Sequence, residues 1–174
     1  MRFALRCPER PLSLALLDTS AAAEDVRKLP SYHEMALVAV HLGPLNALLD
    51  RIDPIFFAEA TRRDQPMVVQ RFREELAAMD QDSLRSALDA VIFRRDDVTT
   101  ALASLNVPTM VGVGSEDTAT PPAKSYALCD AIPGAALFEF PNAGHLSPLE
   151  QPQSVLAALT HFYRRQGVIS AELS

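Results

Sequence analysis

The chain has 174 residues, 48% of them hydrophobic and 22% charged, which is enough for one ordinary domain with its own core and too apolar for a disordered chain. With 22 acidic against 16 basic residues the formal charge is −6, and Lys and Arg are scattered in nothing longer than pairs, which argues against nucleic acid or an anionic membrane as partner. Cys7 and Cys129 stand far apart in no ligand-like spacing, and no apolar run approaches the ~20 residues that span a bilayer; the expectation is a soluble cytoplasmic protein with no disulfide framework, metal site or cofactor.

In chain order, the opening MRFALRCPER carries charge on both sides of a short apolar patch and no small-residue cleavage site. LSLALLD (12 to 18) follows, a continuous apolar run that reads as a buried strand. Residues 24 to 106 then show repeated helix signals and no convincing strand. Ser31 with Glu34 makes a capping box ahead of Met35, Leu37, Val38 and Leu42, stopped by Gly43-Pro44. Asp64 with Pro66, Asp82 and Asp96 are expected to open three more helices. PTMVGVG (108 to 114) reads as a second strand, and AALFEF (135 to 140) as a third. Between them PPAKSYALCDAIPG starts with helix-opening prolines and ends in a Pro133-Gly134 turn, completing one β-α-β unit. The closing helix, QPQSVLAALTHFYRRQG, places Val155, Leu156, Leu159 and Phe162 on one face, with Arg164 and Arg165 in its last turn and Gly167 at its C-cap. The whole predicts an α/β fold of about three parallel strands with flanking helices. Residues 1-23 and 107-174 form the core, and 24-106 an all-helical cap.

In an open parallel sheet, functional groups gather at the carboxyl ends of the strands. Asp117 follows PTMVGVG by three residues, and His145 follows AALFEF by five. Neighbouring strands lie ~4.8 Å apart, so an acid and an imidazole leaving one edge of adjacent strands can meet. Taken singly, Asp117 is a turn former and His145 a solvated loop residue. Together, in this order and 28 residues apart, they point to the acid and base of a nucleophilic triad.

VPTMVGVGSEDTATPP followed by FPNAGHLSPLEQP resembles the closing portion of the α/β-hydrolase fold superfamily, and PERPLSLALLDTS resembles the strand that precedes its cap. The cap, with Arg95 to Val98 leading into PTMVGVG, is similar to small esterases and lactonases such as 3-oxoadipate enol-lactonase. The resemblance implies Asp117 as triad acid, His145 as triad base, and a small ester or lactone as substrate. One departure matters. None of the six glycines (43, 112, 114, 134, 144 and 167) brackets a Ser, Cys or Asp as G-x-S-x-G, and the glycine-containing oxyanion loop is missing too. Ser115 has Val113 where glycine is required, and Ser20 lies in DTSAAA. MRFALRCPER resembles the tail of the helix after the nucleophile, which implies a serine roughly two helical turns ahead of Met1. The expectation is therefore the second half of a hydrolase, with negligible turnover on its own, or a non-catalytic binding or association module. An apolar edge at residues 12 to 18 would invite self-association or complementation by a separate half.

Other candidates are weaker. Asp18, ending the first strand at the same edge, rivals Asp117 as the acid, with a turn role as its plainer reading. Glu116 should face away from the site. Gly112 and Gly114 lack the third glycine of a dinucleotide loop. His33 and His41 share a helix face without a third ligand and read as cap packing, and His161 reads as exposed. Met35, Phe56, Phe57 and Met67 are core residues or the lining of an acyl pocket.

Overall fold

The computed structural model describes residues 1–43 and 45–168. Three parallel strands, β1 (Leu14–Leu17), β2 (Thr109–Gly114) and β3 (Ala136–Phe140), lie side by side in that order. Leu14 stands opposite Thr109, and Gly114 opposite Phe140. Every residue of β2 is buried, as its unbroken apolar run requires. The flanking strands differ from the expected buried type. Ala15 is exposed in β1, and Leu137 and Glu139 are exposed in β3, because each pairs on one side only among the described residues.

Helices cover both faces. On one, α1 (Arg2–Arg6), a 3-10 turn (Thr99–Ser104) and α7 (Pro122–Ala131) bring Ala4, Leu102 and Leu128 against Leu16 and Val111. On the other, α9 (Pro152–Arg165) packs Val155, Ala158 and Phe162 against Met110 and Phe140. Leu156, expected on that face, is 60% exposed. Starting from Val155, the helical period returns at 158 and 162, and 156 sits a quarter-turn away. Gly167, at φ 69, ends the helix in the left-handed conformation, with its N–H donating to the Arg164 carbonyl.

Between β1 and β2 run α2 (Leu29–Leu42), α3 (Asn46–Phe56), α4 (Glu59–Asp64), α5 (Pro66–Ala78) and α6 (Gln81–Leu88), then a π-helical turn (Asp89–Phe93). The helical character matches the sequence reading; several starts do not. α2 begins two residues before Ser31, with Pro30 in its first turn, so the Ser31–Glu34 capping box is not formed. Its end at Gly43 has φ +79; Pro44 lies outside the described residues. Asp64 closes α4 instead of opening α5, which starts at Pro66. Asp80, not Asp82, caps α6 by accepting from Ser83 N at 2.9 Å. The segment after Asp96 is only the 3-10 turn, with Asp97 accepting from Thr99 N at 2.8 Å. α3 carries Pro54 within it, and Arg73 of α5 fastens it by pairing with Asp50 at 2.7 Å and with the buried Asp53. No helix among the described residues is long and apolar enough to cross a membrane, and Cys7 and Cys129 are free thiols.

Candidate active site

The ends of β2 and β3 are stitched together by backbone. Ser115 N donates to the Phe140 carbonyl at 3.0 Å and Glu116 N to the Ala143 carbonyl at 2.8 Å. This brings the loop after β2 against the loop after β3. Asp117, 3% exposed, then turns inward. Its Oδ1 accepts from Thr120 N at 2.8 Å. Its Oδ2 accepts from Thr120 Oγ1 at 2.8 Å and faces His145 Nδ1 at 2.9 Å. An ionised carboxylate only accepts, so Nδ1 carries the proton and Nε2 presents a lone pair. Among the described residues nothing hydrogen-bonds Nε2. That is the geometry of a general base held in one tautomer by an acid. The strand-end placement read from sequence thus does bring Asp117 and His145 together. Thr120, within the DTATPP that ends the quoted stretch, carries no role in the sequence reading, yet it fills two of the carboxylate's acceptor sites.

Asp18 goes elsewhere. At φ 46 it leaves β1 in the left-handed region. It accepts from Gly114 N at 2.9 Å, from Ser147 N at 3.2 Å and from the Ser147 hydroxyl. It therefore ties the end of β1 to β2 and to α8 (Ser147–Glu150), and is no rival for His145. Burial pushes its carboxyl up to about 6, outweighing the hydrogen bonds from Ser147 and Gly114 that favour the ionised form, and the nearby Asp117 charge adds to the rise. A folded pKa above the ordinary 3.8 means the folded state holds the proton longer than the unfolded chain. Stability from this group is then full below about pH 4 and is lost as pH rises to about 6. Asp18→Asn should flatten that descent; melting temperatures of the two proteins between pH 4 and pH 7 check it, and parallel curves would refute it.

The helical segment between β1 and β2 supplies the site's other wall. His145 N donates to the Phe56 carbonyl at 2.8 Å, and the imidazole stacks on the Phe56 ring at 5.4 Å and 22°. Thr118 Oγ1 reaches the Pro54 and Ile55 carbonyls, both at 3.2 Å. Glu116 faces away, accepting from Glu59 N at 3.2 Å. His145 and Thr120 open into a cavity of about 380 Å³ whose walls include Met35, Ile52, Phe72 and Leu88. Phe56 and Met35 therefore line a pocket; Phe57 is buried against Phe72, and Met67 is 70% exposed. An ion pair in the cavity wall joins Arg95 to Glu24 at 3.4 Å, both side chains 9% exposed. Glu150, also missed in sequence, is 2% exposed and accepts from four donors, two in the histidine loop and two at the start of α4.

The remaining candidates stay apart from this site. Ser115 Oγ accepts from Asn142 N and Ser20 Oγ from Ala22 N, both at 3.2 Å. His33 stacks on Phe93 and shares a surface hollow with His41 and Arg85. His161 is exposed at the edge of Phe138. No group of three or more His, Cys, Asp or Glu among the described residues is placed to hold a metal ion.

Comparison with known proteins gives the family and the fold relatives. The sequence model of the Ndr family matches residues 1–170. Over 121 residues the chain is 29% identical to 3-oxoadipate enol-lactonase 2 of Acinetobacter baylyi, covering 66% of this chain and 44% of that protein. Among solved structures, a thermophilic esterase from Thermogutta terrifontis superposes with a TM-score of 0.85 at 29% identity, covering 94% of this chain and 59% of that one. The enol-lactonase from Burkholderia xenovorans LB400 gives 0.81 at 25% identity, covering 93% and 60%. The chain thus spans less than two thirds of the length of each.

Proposed function

The chain belongs to the Ndr family, within the α/β-hydrolase superfamily, and from that premise we propose that it supplies the base and the acid for hydrolysis of a small ester or lactone. His145 takes the proton of a serine carried by residues outside 1–174, and Asp117 holds the imidazole tautomer and stabilises the imidazolium. The observation that carries this reading is the 2.9 Å contact of His145 Nδ1 with a buried carboxylate, while Nε2 is left to an apolar cavity. Residues 24-106 act as the cap that selects an apolar acyl group. The names of the relatives, enol-lactonase and esterase, agree with that substrate class.

The edge of β1 favours a partner for the sheet. It has no neighbour among the described residues, and Leu12 beside it is 89% exposed. Unpaired N–H and C=O groups on an apolar edge recruit another strand. In this reading the strand comes from the segment that carries the nucleophile. In the alternative reading the chain is a non-catalytic module, and a second copy pairs there.

The test is hydrolysis of p-nitrophenyl esters of graded acyl length by the 174-residue chain, alone and co-expressed with a segment bearing a G-x-S-x-G turn. We expect turnover only in the second case, reduced ~10³-fold or more by His145→Ala. Turnover indifferent to His145→Ala would sink the hydrolase reading, and a stable homodimer with protected amides in residues 12 to 18 would favour the module.

A further inference from the structure

Glu150 is a buried carboxylate whose hydrogen-bond donors are all uncharged, and a charge in that position persists only if its lone pairs are filled. They are, in a divided way. Oε2 accepts from Ala58 N at 2.8 Å and Thr61 Oγ1 at 2.7 Å, both on the cap side at the start of α4. Oε1 accepts from Gly144 N at 2.8 Å and Leu146 N at 3.3 Å, the two residues flanking His145. One oxygen serves the cap, the other the histidine loop, and together they use the roughly four acceptor sites a carboxylate has.

The surrounding contacts run the same way. His145 N, between the two loop donors, binds the Phe56 carbonyl, and its ring lies on the Phe56 ring. A Cβ on Gly144 would meet Ala58 N at 2.7 Å and the Phe56 carbonyl oxygen at 2.8 Å, so loop and cap touch backbone to backbone. We propose that Glu150 is a positioning residue that clips the cap to the histidine loop, so that the place of α4 sets the place of the His145 imidazole against Asp117. The proposal rests on the acid–base reading of that pair. It makes the cap part of the machinery that aligns the base, in addition to a wall of the pocket.

Thr61→Val is the decisive variant, because the Thr61 hydroxyl donates to Glu150 Oε2, so its loss removes one of the two donors to the cap-side oxygen and leaves both loop-side donors to Oε1 in place. Glu150→Gln keeps the shape but puts two donors where one pair of acceptor sites stood. The readout is the imidazole Nδ1 proton of His145 in NMR spectra of labelled protein, with amide spectra reporting the fold. We expect a shifted Nδ1 signal in Thr61→Val, its loss in Glu150→Gln, and its loss in Asp117→Asn. If Asp117→Asn removes the signal while both clip variants leave it unmoved, the clip is overturned and the acid–base pair stands. If Asp117→Asn leaves it unmoved, the pair itself fails and the clip with it. Should Glu150→Gln not fold, Thr61→Val alone decides.

Discussion

Asp117→Asn is expected to lower kcat for the ester hydrolysis proposed above by about 10⁴-fold and to leave KM unchanged, when measured on the chain combined with a segment bearing the proposed nucleophile. The amide side chain would keep one oxygen for Thr120 N, the partner of Oδ1 in the native chain. Its nitrogen then takes the place of Oδ2, the atom that faces both Thr120 Oγ1 and His145 Nδ1. A donor now meets Nδ1, so the ring turns to the tautomer with its proton on Nε2. That nitrogen can no longer accept the serine proton. The side chain changes by less than one atom in volume and the apolar cavity is untouched, so binding of an apolar ester is preserved. An equal fall in kcat and kcat/KM is the signature of an interaction made only in the transition state. A variant with wild-type kcat would remove Asp117 from the mechanism.

Gly114→Ala destabilises the fold by about 3 kcal/mol or more. A Cβ there would lie 2.1 Å from the Gly144 carbonyl oxygen and 2.4 Å from that of Ala143. Both are backbone atoms of the histidine loop, held by the Glu116 N bond to Ala143 and the Gly144 N bond to Glu150. No rotamer relieves the clash, so the loop must move away from β2, carrying His145 from Asp117. Gly112→Ala is the matched control two residues earlier in the same strand. Its Cβ would meet Leu17 Cδ2 at 2.6 Å and Phe140 Cε2 at 2.8 Å, which are side-chain ends that can turn aside. Its cost should be about 1 kcal/mol. Denaturant midpoints of the two variants compare them; equal midpoints would show that the loop has slack the structure does not suggest.

The glycine contrast also separates what is legible in sequence from what is not. Both glycines lie in the same apolar run, and nothing in TMVGVG tells which one a neighbouring backbone approaches. The capping box at Ser31 fails for a related reason. Pro30 offers the helix an earlier start, and packing of α2 against α3 and α6 goes with that start and not with the local cap residue. Leu156 reads as core because it is apolar, but the helix phase is set by Val155 and Phe162 meeting the sheet.

What the sequence determined by itself is what depends on neighbours in the chain. Three apolar runs with turn chemistry at their ends specify the strands; prolines and glycines specify where α7 and α9 begin and end. One β-α-β unit places Asp117 and His145 at adjacent strand ends, close enough that a short loop from each completes the contact. The tertiary structure alone decided the rest. Asp18 meets Ser147 across 129 residues, and Glu150 meets Ala58 across 92. A carboxylate's role is set by which donors surround it once burial has made every lone pair costly to leave empty. Those donors come from segments that only the packing of the helices between β1 and β2 against the strand-end loops brings together.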